Sequence, residues 1–225
     1  MSRPLMQLRR ARREDLGLEP WEYRTLARLT TPEKIQAFLD AIPQNFEVGG
    51  QTCLSVRGVL RERRAMCIEG AMVAACALWV NGEPPLLFDL KARGDYDHVI
   101  AVYRRGRCWG AISKTNSIVL RWRDPVYRSL RELAMSYYHE YANRRHQKTL
   151  HSYSVPYDLR RMQVAEWVTN PKHCWDVGWA LEAVRHFPLV GERQRRQVRL
   201  RDRLERRSMD MVMYPRPRPP EGGTD

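Results

Sequence analysis

Cys67 and His98 are the residues of this chain whose types and positions could support nucleophilic chemistry. Cys67 opens a predicted helix, and Arg63 and Arg64 stand just before it. A helix N-terminus and nearby positive charge both lower the pKa of a thiol, which favours the reactive thiolate. His98 opens a predicted strand further along the chain, and an imidazole beside the thiol could take its proton. The pair therefore predicts a cysteine nucleophile with a histidine base.

Three segments, in this order, resemble the core of the transglutaminase-like superfamily, which has the papain-like thiol fold. They are Cys67-Ile-Glu-Gly-Ala71, Asp97-His-Val-Ile-Ala-Val-Tyr103 and Trp109-Gly-Ala-Ile-Ser-Lys-Thr-Asn116. The resemblance covers about residues 45–122, and the whole chain, especially residues 123–133, also resembles a bacterial group related to that family. It implies a papain/transglutaminase-like core, in which the helix that starts at Cys67 packs on a small antiparallel sheet.

In that family a second strand carries a tryptophan and, four residues later, the aspartate that orients the histidine. Here the residue four after Trp109 is Ser113. Hairpin geometry supports the same pairing, because a two-residue turn at 105–106 places His98 directly opposite Ser113, with the side chains about 5 Å apart. Ser113 can orient the imidazole by a hydrogen bond but brings no negative charge. Asn116 is the alternative orienter, since a neutral Asn serves in papain-like triads.

An oxyanion formed during acyl transfer needs hydrogen-bond donors beside the nucleophile. The backbone N–H of Cys67 is the first candidate, and three upstream amide side chains could supply a second: Gln44, Asn45 and Gln51. Glu69 follows Cys67 on the helix and points away from it. The other histidines show no zinc-ligand spacing and no glycine-rich phosphate loop exists, so we expect no metal and no cofactor.

The elements that must position these residues run from helices to strands and back to helices, which predicts an α+β domain with extra C-terminal helices. The helix over 67–80 carries small residues along one face, and small side chains let a helix approach a sheet closely. The other helices are predicted over 32–41, 52–62, 123–141, 175–186 and 193–209, the strands over 85–90, 97–103, 108–112 and 117–122, and an irregular stretch over 147–160.

Composition divides the chain into three regions. Residues 1–28 are predicted as a basic N-terminal leader, and residues 29–190 as a transglutaminase-like domain with a helical C-terminal extension. Residues 191–225 are predicted as a basic helix and a disordered Pro-rich tail. From residue 193 onward ten arginines stand against five acidic residues, so positive charge is concentrated at this end.

The whole chain has a net charge of +13 and a pI near 10.0. Such a charge attracts nucleic acid or an acidic protein, although an arginine-rich solvated surface is a simpler explanation than a dedicated nucleic-acid site. Five scattered cysteines without a CxxC pair argue against a disulfide framework and fit a reducing compartment. The sequence shows no membrane-spanning stretch and no signal peptide, so we expect a cytoplasmic protein without a membrane partner.

Two hypotheses follow. The first is a cysteine acyl-transfer enzyme or hydrolase that acts on an amide or peptide bond of a protein or peptide substrate through Cys67 and His98. The second is a catalytically weak transglutaminase-like binding module, whose basic surface takes nucleic acid or an acidic protein. The missing aspartate at position 113 favours the second hypothesis, and the order of the three segments favours the first.

Overall fold

In a computed structural model, residues 9–217 form an antiparallel sheet of seven strands surrounded by ten α-helices. The elements are α1 (Arg13–Leu16), α2 (Pro20–Arg28), α3 (Pro32–Asp40), α4 (Val56–Glu62), α5 (Cys67–Val80), β1 (Leu86–Ala92), β2 (His98–Arg105), β3 (Cys108–Ile112), β4 (Arg123–Tyr127), α6 (Leu130–Tyr138), β5 (Leu150–Ser154), β6 (Tyr157–Asp158), α7 (Val164–Trp167), α8 (Trp175–Ala183), β7 (His186–Pro188), α9 (Glu192–Arg195) and α10 (Arg203–Met209). The strand order is β4-β3-β2-β1-β5-β7, and β6 pairs with β1. The chain is therefore an α+β protein, as the order of its elements predicts.

Helix α5 packs closely against strand β2, and its residues from Glu69 to Leu78 are all buried. Gly70 faces the side chain of Lys114, and a Cβ atom at position 70 would collide with the Lys114 Cβ. The small residues of α5 thus allow the helix to lie directly against the sheet and the segment that follows β3. This packing fixes the position of Cys67 at the first residue of the helix.

Both faces of the central strands are covered. Val99 and Ala101 belong to the core shared with α5, whereas Ile100 and Val102 belong to a second core shared with α6. A strand buried on both faces has a nearly continuous apolar sequence rather than an alternating one. This explains why β2 reads His-Val-Ile-Ala-Val-Tyr without a polar residue between its apolar ones.

The hairpin between β2 and β3 has a register that differs by two residues from the predicted one. Arg105 pairs with Cys108 around a two-residue loop whose first residue, Gly106, has a φ of +58°. A positive φ at that position is what tight hairpin loops require, and glycine supplies it without strain. Because side chains alternate with a period of two, the shift leaves His98 and Ser113 on one face, although no longer directly opposite each other.

The structure also corrects the elements predicted after the hairpin. Residues 118–122 form a loop instead of a strand, and residues 123–127 form strand β4 instead of the start of a helix. Pro125 is tolerated because β4 lies at the edge of the sheet. Helix α6 begins only after Ser129, whose hydroxyl accepts the Glu132 N–H at 3.1 Å.

Other corrections concern the outer parts of the fold. The stretch over 147–160, predicted as irregular, contains β5 and β6, and the predicted helix over 193–209 is two short helices, α9 and α10. Asp202 separates these two by capping α10 through the Leu204 and Glu205 N–H groups. Helix α4 starts at Val56 rather than at residue 52, because Ser55 caps it there. Residues 218–225 of the predicted disordered tail lie outside the described residues.

Residues 1–28 are predicted as a leader. Their described part, residues 9–28, packs into the same core as α5. Leu16 and Leu26 are fully buried there, and the buried carboxylate of Glu22 pairs with Arg57 and Arg61 of α4. A buried carboxylate of this kind must keep its partners, which ties α2 to α4. Among the helices of residues 9–217, none is long and apolar enough to cross a membrane.

Candidate active site

His98 and Ser113 meet at the end of the hairpin. The Nε2 atom of His98 lies 2.8 Å from the Ser113 Oγ and 3.3 Å from the carbonyl oxygen of Leu120. The Ser113 hydroxyl in turn donates to the same Leu120 carbonyl at 2.6 Å. Three groups therefore form a closed network around one ring nitrogen, and His98 and Ser113 are both buried.

These contacts determine which nitrogen of neutral His98 carries the proton. The Leu120 carbonyl can only accept, and the single Ser113 hydroxyl proton is already donated to it. Nε2 must therefore be the donor, and Nδ1 keeps its lone pair. Within residues 9–217 Nδ1 has no hydrogen-bond partner and is not among the fully buried unpaired atoms, and His98 is one of the residues that line a cavity.

Leu120 is a member of this hydrogen-bond network that the sequence does not reveal. Its φ of +60° lies in the left-handed region, which costs a residue with a Cβ about 1–2 kcal/mol. Glu140 holds this conformation by accepting the Leu120 N–H at 3.3 Å, and Arg123 pairs with Glu140 in turn. Strain of this kind persists only where the surroundings enforce it, and here it turns a carbonyl towards His98.

The environment of His98 keeps the imidazole neutral. Burial lowers the pKa of His98 to about 4, the Leu120 carbonyl opposes this, and the charge of Arg123 lowers the pKa further. The network thus orients the ring through neutral acceptors alone. Near neutral pH His98 is an unprotonated base with its Nδ1 available.

Cys67 is the first residue of α5, with Met66 as the N-cap. Its sulfur accepts hydrogen bonds from the backbone N–H groups of Ile68 and Val99, and both lower the pKa of the thiol. Burial outweighs them and raises the pKa, and the charges of Glu69 and Asp89 raise it further. The prediction of a thiol activated in its resting state is therefore wrong for this conformation.

The two arginines expected to activate Cys67 are engaged elsewhere. The Arg63 guanidinium lies over the Phe38 ring at 5.4 Å, and Arg64 pairs with Glu62 at 2.7 Å. Arg63 also ends helix α4 in the left-handed conformation, with a φ of +55°. The leading contributions to the shift of the thiol pKa come instead from burial, backbone N–H groups and two carboxylates.

Cys67 and His98 line one cavity of about 330 Å³. Within residues 9–217 no hydrogen bond joins the Cys67 sulfur to the His98 ring, and each group has its own partners. Catalytic hydrogen bonds are often long in an enzyme without substrate and shorten when it binds. The resting site thus holds a neutral thiol and a neutral imidazole in one cavity.

Glu69 is buried behind Cys67 and holds the start of α5. Its carboxylate accepts the Met66 N–H at 2.7 Å, which caps the helix, and the Leu54 N–H at 2.8 Å. The side chains of Asn45 and Thr52 donate to it as well. Glu69 therefore points away from the thiol, as predicted from helical geometry, and ties the preceding loop to the helix that carries Cys67.

The three upstream amide side chains have different surroundings. Asn45 is buried and bound to Glu69, and Gln51 is exposed. Gln44 lines the cavity together with Cys67, its Nε2 donates to the Asn45 carbonyl at 3.2 Å, and its Oε1 is buried without a partner. Gln44 is thus the amide placed to reach a ligand beside Cys67.

Asn116 does not contact His98. Its side-chain amide donates to the Tyr214 carbonyl at 2.9 Å and accepts the Tyr214 N–H at 2.8 Å. Both polar atoms of the amide are therefore bound to the C-terminal segment. Of the two predicted orienters, the structure brings Ser113 to the histidine and places Asn116 in the wall of the same cavity.

No protein-family model and no curated protein sequence matches this chain. Function is therefore inferred from the cavity and its residues. Within residues 9–217 no group of three or more His, Cys, Asp or Glu side chains could hold a metal ion. All five cysteines, which lie in this range, are free thiols.

Proposed function

We propose that the protein is a cysteine acyl-transfer enzyme or hydrolase of the transglutaminase-like class that acts on an amide or peptide bond. One observation carries the proposal: Ser113 and Leu120 bind the Nε2–H of buried His98, which leaves Nδ1 without a hydrogen-bond partner in residues 9–217, and His98 lines the same cavity as Cys67. A base held in one tautomer beside a thiol at a helix N-terminus is the arrangement that thiol acyl transfer needs. The packing of α5 on β2 supports a papain/transglutaminase-like core.

The reaction begins with proton transfer, because both groups are neutral at rest. As the Cys67 sulfur attacks the substrate carbonyl carbon, its proton passes to His98 Nδ1, and the carbonyl oxygen becomes an oxyanion. The imidazolium then gives this proton to the leaving amine as the carbon–nitrogen bond breaks, which leaves a thioester on Cys67. Water or a second amine, deprotonated by His98, attacks the thioester and releases the thiol.

Two donors are proposed for the oxyanion. The backbone N–H of Cys67 belongs to the first turn of α5, where no intrahelical acceptor is available for it. Gln44 Nε2 supplies the second, since the side chain lines the cavity beside Cys67. A single donor of this type is worth about 10²–10³ in rate, so Gln44→Ala should slow acyl transfer by that factor.

Ser113 sets the limits of this mechanism. It keeps the imidazole in the productive tautomer, as the aspartate does in a serine-protease triad, but it adds no charge to stabilise the imidazolium. Free thiols are required as well, and the reducing conditions of the cytoplasm, where we place the protein, would preserve them.

Acetyl transfer from para-nitrophenyl acetate tests the proposal. The sulfur displaces nitrophenolate, and intact-protein mass spectrometry follows the acetyl group on Cys67 and its loss to water. We expect Cys67 to be acetylated at least about tenfold faster than Cys108, which is also partly exposed, and His98→Gln to remove the difference. Equal rates at the two cysteines, unaffected by His98→Gln, would exclude an activated Cys67.

A second candidate function is a binding module with a basic surface. The exposed arginines near the C-terminus that form no ion pair within residues 9–217 include Arg193, Arg196, Arg203 and Arg207. Binding of a fluorescent single-stranded DNA, falling steeply as salt rises, would support this role. No binding at low salt would remove it, and reversing these four charges provides the control.

A further inference from the structure

The C-terminal segment pairs with one wall of the candidate active site. Ser117 and Val212 form an antiparallel bridge, with the Ile118 N–H donating to the Met211 carbonyl at 3.3 Å. The Met213 N–H donates to the Asn116 carbonyl at 2.8 Å. Residues 116–118 thus pair, through an isolated antiparallel bridge, with a short extended segment of the C-terminal region.

Side-chain contacts fix this strand at its end. The Asn116 amide binds both polar backbone atoms of Tyr214, and the Tyr214 hydroxyl donates to the Asp40 carbonyl at 2.7 Å. The Tyr214 ring lies 5.2 Å from the Lys114 ammonium, which is itself bound to the Leu39 and Ile42 carbonyls at the end of α3. An aromatic residue is therefore recognised next to a buried cation.

The helix that precedes this strand, α10, reaches the site through its last residue, Met209. Met209 lines the cavity together with Cys67 and His98, and Asn116 and Ser117 line it as well. The residues between Met209 and Tyr214 contribute little burial, since Met211, Val212 and Met213 are 57%, 51% and 39% exposed. The segment is held through its backbone and Tyr214 rather than through an apolar core, so another extended chain could replace it.

We propose that residues 116–118 form a peptide-binding edge of the active site, which the chain's own residues Met211–Tyr214 occupy as an intramolecular ligand. The ligand class is an extended peptide with an aromatic residue in the Tyr214 position. Main-chain hydrogen bonds supply the affinity and the aromatic side chain supplies the specificity. The further step, that such a peptide is a substrate and that the segment inhibits Cys67, rests on the proposed function.

The test compares two full-length variants at one position. Met213→Pro removes the N–H that binds Asn116, whereas Met213→Ala keeps it and shortens the same half-exposed side chain. A fluorescein-labelled synthetic peptide of residues 209–217 should bind the Pro variant about tenfold or more tightly than the Ala variant, because a tethered strand competes at high effective concentration. The same peptide methylated on the Met213 nitrogen should not bind.

Hydrogen exchange provides the control for release of the segment. The Ile118 amide should exchange faster in Met213→Pro than in Met213→Ala, with unchanged far-UV circular dichroism. If the amide is released and the peptide binds both variants equally weakly, the edge is not a peptide site. If the amide is equally protected in both, the Met213 bond does not hold the strand, and the proposal is again wrong.

Chemistry at Cys67 separates this inference from the proposed function. With the segment released, acetylation of Cys67 should rise about three- to tenfold, and the added peptide should reverse the rise. Tight peptide binding without any acetyl transfer in either variant would leave the peptide-binding edge intact and refute the enzymatic proposal. Acetyl transfer without peptide binding would refute the peptide-binding edge and leave the enzymatic proposal standing.

Discussion

Two histidines beside the central sheet have opposite kinds of partner. His98 gives its Nε2 proton to a network of a hydroxyl and a carbonyl, whereas His186 lies 3.0 Å from the Asp89 carboxylate. The Nδ1–H of His186 donates to the Val184 carbonyl at 2.8 Å, so a second proton must lie between Nε2 and Asp89. A carboxylate–histidine pair of the kind that the resemblance implies for a catalytic site is thus formed by Asp89 and His186, neither of which is among the residues that line the cavity of Cys67 and His98.

The two histidines show that a protein can orient an imidazole ring with or without a negatively charged partner. His98 is oriented without a negative partner, and its low pKa keeps it neutral as a base. Asp89 is buried, which raises its pKa to about 6, while His186 opposes this shift. His98 is thus bound only to neutral groups, whereas His186 is bound to a buried carboxylate.

The largest expected effect is the difference in acetyl transfer between variants of the two histidines. His98→Gln should lower acetyl transfer by Cys67 about 10³-fold, since general base catalysis contributes about 10²–10⁴. His186→Gln should change it by less than about threefold, because His186 is bound to Asp89 and not to the cavity residues. Stopped-flow nitrophenolate release measures both, and comparable losses in the two variants would contradict the division of roles.

The second effect is on stability as a function of pH. The folded-state pKa of His98 is depressed to about 4, so its contribution is present above the unfolded value near 6.5 and is lost as pH falls through 4. The pKa of Asp89 is raised to about 6, so its contribution is present below about 3.8 and is lost as pH rises through 6. Each term is on the order of 2–3 kcal/mol.

These two contributions have opposite slopes in the same window, and single variants can expose each one. Between pH 4 and 6.5, Asp89→Asn should steepen the rise of the unfolding free energy with pH, and His98→Gln should flatten or reverse it. Urea unfolding at several pH values gives the slopes. If both variants changed the slope in the same direction, the direction of the pKa shift would be wrong for either His98 or Asp89.

The centre of the fold follows from local sequence. Gly70 and the alanines of α5 predict a helix that touches the sheet, and the apolar run from Val99 to Tyr103 predicts a buried strand beside it. The contact between His98 and Ser113 also follows, because a register error of two residues preserves the face. Short-range patterns are reliable here because local packing and periodicity agree.

The network around His98 could not be predicted in full, because part of it depends on distant residues. The apolar run of residues 118–120 resembles a strand, yet Glu140 and Arg123 hold Leu120 in a left-handed conformation. The prediction of a lowered pKa for the Cys67 thiol fails for a similar reason. The neighbours of Cys67 in sequence are arginines, whereas its neighbours in space include the carboxylates of Glu69 and Asp89. Sequence spacing does not show which charge faces the sulfur.

A third prediction converts one histidine environment into the other. Ser113→Asp would place a carboxylate against His98 Nε2 and should raise the pKa of His98, as opposite charges close together favour the charged form, by about one to three units. In a plot of the acetylation rate against pH, the acid limb should shift to higher pH by the same number of units. Ser113→Asn, of nearly equal size without charge, is the matched control, and identical profiles for the two variants would show that charge at position 113 is not felt by the imidazole.

The smallest predicted effect concerns Cys67, the proposed reaction partner of His98. Glu69→Gln removes a negative charge that raises the pKa of Cys67, so alkylation of Cys67 by iodoacetamide at pH 7.5 should become about threefold faster, a Coulomb term below about 1 kcal/mol. The amide cannot accept the Met66 and Leu54 N–H groups as well as the carboxylate does, so stability should fall by about 1–3 kcal/mol. Glu62→Gln, an exposed carboxylate paired with Arg64, should change neither rate nor stability appreciably. An unchanged rate in Glu69→Gln would mean that burial alone sets the thiol pKa, and that the carboxylate serves only to hold the helix start in place.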